Sequence, residues 1–205
     1  MSDTFRLTLA QLAPIVGDID GNIAKARAAW AAGKAAGADL VLLPEMFAVG
    51  YQPQDLVMRP AVWREAMDAV AALAADTADG PVLAIGAPFH DGDVLYNALH
   101  VCEGGKVRLH VLKQVLPNID VFDEKRLYAR GPDQGPFRIG PLLIGTPICE
   151  DAWWEDHVCS TMAEAGAQVL VVPNGSPYHR GKVAVRQDHM RARVDETGLP
   201  LVYLN

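Results

Sequence analysis

Three apolar runs in this sequence each lead into a residue that can do chemistry. Glu45 follows Leu40-Val41-Leu42-Leu43-Pro44, Lys113 follows Leu109-His110-Val111-Leu112, and Cys149 follows Leu143-Ile144-Gly145-Thr146-Pro147-Ile148. Short continuous apolar runs are the pattern of strands buried on both faces. In α/β sheets, functional groups gather where such strands end. A thiol, an amine and a carboxylate brought together there could open an amide. The Cys149 thiolate would attack the carbonyl carbon, its pKa lowered by a cation or a helix N-terminus. Lys113 would offer positive charge to the thiolate and to the developing oxyanion, where one donor is worth on the order of 3 kcal/mol. Glu45 would take the thiol proton and deliver it to the leaving ammonia. No histidine is required.

Each of these residues taken singly also has an ordinary explanation. A charge at a strand end is usually solvated, and a free thiol is usually a small core residue. Cys102, in a hairpin, and Cys159, on a helix beside Met162 and Ala163, fit the core description better than Cys149 does. Of the histidines, His157 and His179 could serve a Cys–His pair, but neither stands in the sequence context such proteases have.

The elements that must position the trio alternate along the chain. Strands are expected at Phe5–Leu12, Asp39–Leu43, Pro81–Ala87, Leu142–Ile148, Gln168–Val172 and Leu201–Asn205. Leu95–Cys102 and Lys106–Leu112 flank Glu103-Gly104-Gly105, a hairpin signal. Helices are expected at Asn22–Ala36, entered through Gly17-Asp18-Ile19-Asp20 and ended by Gly37, then at Ala61–Thr77, Glu155–Ala165 and Ala184–Thr197. The segment from Lys113 to Gly135, rich in charge, Pro, Asp and Gly, reads as extended and on the surface. The pattern is that of a single α/β domain over residues 1–205 with a mixed sheet. Its last run, Leu201-Val202-Tyr203-Leu204-Asn205, is still strand-like where it stops, so a fragment of a longer chain is expected.

The 205 residues suffice for one domain with a sizeable core. Fifty per cent hydrophobic and 21% charged residues argue against disorder. A net charge of −7 gives no electrostatic reason to expect nucleic acid or a membrane as partner. No apolar run reaches the length of a membrane span. The N-terminus, with Asp3 and Arg6, lacks a signal-peptide core. Three cysteines, at 102, 149 and 159, make neither a disulfide framework nor a metal-ligand pattern, so the cytosol is the expected compartment.

Leu43-Pro44-Glu45, Lys113 with Leu116-Pro117, and Ile148-Cys149-Glu150-Asp151 resemble, in order, the three signatures of the nitrilase (carbon–nitrogen hydrolase) superfamily. The resemblance runs from Leu9-Ala10-Gln11-Leu12 to the end. It implies an α-β-β-α sandwich, truncated at its C-terminal end, whose protomers pair sheet-to-sheet into four layers. It implies Glu45 as base, Lys113 as oxyanion support, Cys149 as nucleophile and Glu124 as a second glutamate steadying the lysine.

Within the superfamily, several stretches are similar to the glutaminase domains of glutamine-dependent NAD synthetases. They are Val16-Gly17-Asp18-Ile19, Gly50-Tyr51, Leu116-Pro117-Asn118, Val121-Phe122-Asp123-Glu124-Lys125-Arg126, Cys149-Glu150-Asp151-Ala152-Trp153 and Ser176-Pro177-Tyr178-His179-Arg180-Gly181-Lys182. The similarity implies a homo-oligomeric glutamine amidohydrolase that passes ammonia to its own C-terminal synthetase domain. It places Ser176 and Lys182 on the glutamine, as well as Ile119, which stands where those domains carry a tyrosine. Their ATP loop, Ser-Gly-Gly-x-Asp-Ser, does not occur here, so no cofactor is expected in this chain, and ATP and Mg belong to the missing domain. The competing readings are a freestanding amidase acting on another small primary amide and a non-catalytic oligomerisation module.

Overall fold

The computed structural model describes residues 4–205, so the charge at Asp3 lies outside it. Strands β1 (Leu7–Leu9), β2 (Leu40–Leu42), β3 (Val82–Asp91), β4 (Val94–Glu103) and β5 (Lys106–Leu112) form one sheet in that order. The first three are parallel and the last two antiparallel. Strands β6 (Phe137–Ile139), β7 (Leu142–Gly145), β8 (Val169–Pro173) and β9 (Leu201–Leu204) form a second sheet, parallel apart from the β6–β7 pair.

Period-two alternation decides what each sheet faces. Leu40, Leu42, Val82, Ala84, Leu99 and Val101 pack with Ile139, Ile144, Val171 and Leu204 of the second sheet. The intervening Val41, Leu83, Ile85 and Ala87 pack under helices α1 (Ile19–Ala35) and α2 (Pro60–Ala75). On the far side, Leu170 and Val172 of β8 pack with Val158, Cys159 and Met162 of α4 (Val158–Glu164) and Met190 of α5 (Lys182–Thr197). A short helix α3 (Glu124–Leu127) completes the set. The layers therefore run helix, sheet, sheet, helix, as the resemblance implied.

One part of that expectation is corrected. The four layers do not need two protomers, because one chain supplies two sheets, each with its own apolar inner face. The sequence reading also took the mixed sheet as one and missed β6, which is only three residues long. The first helix starts at Ile19 rather than Asn22, with Asp18 Oδ1 accepting from the Gly21 N–H at 3.1 Å. Among the described residues no helix is long and apolar enough to cross a membrane.

The turn after β2, which carries Glu45, lies against β3 at Gly86. A Cβ there would stand 2.3 Å from the Met46 nitrogen and 2.5 Å from the Pro44 oxygen. Backbone on both sides cannot yield, so Gly86→Ala is expected to lower stability by about 1–3 kcal/mol. Chemical denaturation should show an earlier midpoint; an unchanged midpoint would mean the turn is not packed this closely.

Candidate active site

Three strand ends converge. Lys113 Nζ lies 2.7 Å from Glu45 Oε1 and 2.7 Å from Glu124 Oε2, and all three side chains are buried. The segment expected to be extended on the surface is thus corrected in part: Lys113, Gln114, Leu116, Glu124 and Tyr128 all lie inside. Its charges misled because two carboxylates and one ammonium neutralise one another in the interior, which composition cannot reveal. Asn97, on β4, donates to Glu45 Oε1 at 2.8 Å and to Glu124 Oε1 at 3.4 Å. The Tyr51 hydroxyl donates to Glu124 Oε1 at 3.2 Å.

The electrostatics follow from this crowding. Burial alone would lower the Lys113 ammonium, but Glu45 and then Glu124 override it and hold it well above its usual value. Burial pushes the Glu124 carboxyl up to about 7, with Lys113 opposing and Glu45 assisting. Cation and carboxylates therefore form a triad that Asn97 and Tyr51 complete.

Cys149 follows β7 and opens a single 3₁₀ turn, Cys149–Ala152, with a backbone φ of +49°. A non-glycine residue there is strained and is held by its surroundings. The expectation of a lowered thiol pKa is corrected. Burial, and after it the charge of Glu45, push the Cys149 thiol well above its usual value, with Lys113 and the Gly175 N–H opposing. Lys113 is already paired with two carboxylates, so the resting sulfur keeps its proton. Cys102 and Cys159 are fully buried, and burial pushes both thiols up to about 12.

Asp151 joins two of the strand ends. Its Oδ1 accepts from the Gln114 and Val115 N–H groups at 3.1 and 2.6 Å, and its Oδ2 from the Ile148 N–H at 3.0 Å. The chain just after Lys113 is thereby tied to the chain just before Cys149. Across the site, the Gly175 N–H donates to Glu45 Oε2 at 2.8 Å, while the Glu45 N–H donates to the Asn174 carbonyl at 3.3 Å. A Cβ on Gly175 would stand 2.6 Å from the Tyr51 ring, so only glycine fits.

The residues expected from the resemblance to face the substrate are not brought together in the same way. Ser176 lines a cavity of about 330 Å³ with Glu45, Tyr51, Gly175 and Asn205. Ile119, 63% exposed, lines a separate cavity of about 360 Å³ with Gln114, Glu150, Trp154 and His157. Lys182 lines neither; its ammonium stands 5.6 Å from the centre of the Trp153 ring. Among the described residues no group of three or more His, Cys, Asp or Glu side chains is placed to hold a metal ion. Sequence reasoning missed Asn97 and gave Asp151 and Gly175 no role. Asn97 alone had a signal, a polar residue inside the apolar run Leu95–Cys102.

The carbon-nitrogen hydrolase family model matches residues 6–205. A glutamine-dependent NAD(+) synthetase of Rhodobacter capsulatus is 58% identical over 205 residues, which are 100% of this chain and 37% of that protein. One from Xanthomonas campestris is 37% identical over 98% of this chain and 37% of its own length. The chain therefore spans a little over a third of the curated relatives it matches. Among solved structures, the glutamine-dependent NAD+ synthetase of Acinetobacter baumannii superposes with a TM-score of 0.91 at 29% identity, covering 98% of this chain and 38% of that one. An amidase of Nesterenkonia sp. shares the fold, with a TM-score of 0.84 at 24% identity over 98% of this chain and 76% of its own.

Proposed function

Because this chain belongs to the carbon–nitrogen hydrolase family, we propose that it hydrolyses the side-chain amide of glutamine through a Cys149 thioester. The observation that carries the reading is the buried triad of Glu45, Lys113 and Glu124, whose charges act on the Cys149 thiol.

Glu45 takes the Cys149 proton as the sulfur forms its bond to the amide carbon. Starting from a thiol, deprotonation is concerted with attack, and the low-dielectric site does not have to hold a free thiolate. Lys113 faces the carbonyl oxygen as it becomes an oxyanion. Collapse breaks the C–N bond, and the proton on Glu45 goes to the nitrogen, which leaves as ammonia. Water then gives its proton to Glu45 and its oxygen to the thioester carbon. The C–S bond breaks, the sulfur recovers its proton, and glutamate leaves. Glu124 and Asn97 hold Lys113 and Glu45 in place and do not touch the substrate.

The ammonia would go to an ATP- and Mg-dependent synthetase domain of the whole cytoplasmic, oligomeric protein, which amidates deaminated NAD. The 58% identity to a synthetase of that name supports this step. By the resemblance, Ser176 and Lys182 would hold the α-amino and α-carboxylate end and Ile119 the methylene stem. For all three to reach one glutamine, Lys182 has to leave Trp153 and the Ile119 segment has to close over the Ser176 cavity.

Ammonia release from glutamine and from propionamide is the test. Glutamine should be preferred, and Lys182→Ala should raise KM by more than the roughly three- to tenfold expected for one neutral hydrogen bond. Ile119→Tyr should improve glutamine use only within that smaller range. Equal rates on both amides, with Lys182→Ala unchanged, would favour a freestanding amidase instead.

A further inference from the structure

Glu45 has two carboxylate oxygens with different supports. Oε1 is taken by Lys113 and Asn97, whereas Oε2 accepts from the Gly175 N–H at 2.8 Å. Gly175 lies in residues 174–177, a strap that is neither helix nor strand and so is not fixed by a ladder of its own.

At its start, the Asn174 N–H donates to the Leu204 carbonyl at 2.8 Å and the Asn174 carbonyl accepts from the Glu45 N–H at 3.3 Å. Beyond Gly175, Arg186 and Asn205 hold the strap. Arg186 projects from α5, and its Nη2 stands 2.9 Å from Ser176 O, 3.2 Å from Ser176 Oγ and 3.1 Å from Pro177 O. Asn205 brackets the same residue, accepting from the Ser176 N–H at 3.0 Å and donating to Ser176 O at 3.1 Å. One guanidinium nitrogen has two protons and here meets three oxygens, so the contact holds two successive residues at once. Arg186 Nε is buried without a partner, so the guanidinium is committed to the strap through one nitrogen and carries a desolvation cost to stay there. Lys182, one turn earlier on α5, points its ammonium at Trp153 and does not share the task.

We propose that Arg186 is a positioning residue, which pins the strap so that the Gly175 N–H can hold Glu45 Oε2 in register with Cys149. It acts through Gly175 and does not contact the substrate. The proposal rests on the Cys149–Glu45 chemistry given above.

The test uses the whole chain with Arg186→Gln, Arg186→Lys and Arg186→Ala. Loosening a hydrogen bond to a charged group should lower kcat by about 10- to 100-fold in Arg186→Gln, with KM changed by less than about threefold. The same fall is expected with propionamide, which has no α-carboxylate. Arg186→Lys should fall between, and about 10 mM guanidinium should restore part of the activity of Arg186→Ala where methylammonium does not. A rise in KM for glutamine alone, with kcat intact, would overturn the proposal and make Arg186 a carboxylate ligand. A lowered melting temperature that accounts for the lost activity, with no guanidinium rescue, would overturn it as well. If the wild-type chain releases no ammonia from any amide, the hydrolase reading itself fails. Arg186 is then judged by iodoacetamide, which should label Cys149 about tenfold more slowly in Arg186→Gln; an unchanged rate sinks the positioning role.

Discussion

Replacing Lys113 with alanine is expected to cost about 3–5 kcal/mol of stability and to remove amide hydrolysis with it. The ammonium is fully buried between Glu45 and Glu124. Without it, two carboxylates face each other with one asparagine and one tyrosine hydroxyl between them. Burial already pushes Glu124 up to about 7 with the lysine present, so the alanine variant has to protonate a carboxyl or admit water. The loss therefore comes from stranded charge more than from the missing contact. A triple variant, Lys113→Met with Glu45→Gln and Glu124→Gln, should recover most of the stability, since apolar and neutral groups of similar volume often replace a buried ion cluster at little cost. It should recover no hydrolysis. Urea denaturation of the two proteins separates the contributions. If Lys113→Ala matches wild type in its midpoint, the buried triad is wrong as described.

Cys149→Ala should leave the fold intact and lower hydrolysis by at least about 10⁴-fold. Alanine fills the same backbone region as cysteine with no larger side chain, so the positive φ costs both residues alike. Nothing replaces the sulfur, so no thioester forms. Adding Glu45→Gln to Cys149→Ala should cause almost no further loss, because base and nucleophile serve one step. Ammonia release by the single and double variants measures this. Residual activity in Cys149→Ala within tenfold of wild type would remove the thiol from the chemistry; multiplying losses would separate Glu45 from it.

The strand ends that carry Glu45, Lys113 and Cys149 were legible because apolar runs mark buried strands whatever lies between them. Which face of each strand meets the other sheet was not legible, because a run apolar on both faces shows no polar side to orient it. Nor was the environment of each group. Lys113 looked like the start of a solvated loop, because nothing local tells a lysine inside a charge cluster from one in water. Cys149 looked like an activated thiol because the positive group was counted and the burial was not. Asp151 sits in a quoted motif, yet two of its three backbone hydrogen bonds reach Gln114 and Val115, 37 and 36 positions away, which only the fold brings near. Ser176, Ile119 and Lys182 were placed on one substrate by resemblance, whereas the structure spreads them over different surroundings.

The two sheets each supply half of the site, and this sets the order in which its reactivity can arise. The Glu45–Lys113 contact closes a span of 68 residues and the Glu45–Gly175 contact one of 130. Contacts that distant form late, after the entropy of closing long loops has been met. Lys113 finds its carboxylates on the first sheet and α3, but until the second sheet docks, Cys149 has no base beside it. A chain still folding, or one with a sheet locally open, therefore carries three ordinary thiols. Amide chemistry switches on only once the two sheets meet, and until then the Cys149 thiol keeps the ordinary reactivity that burial later lowers.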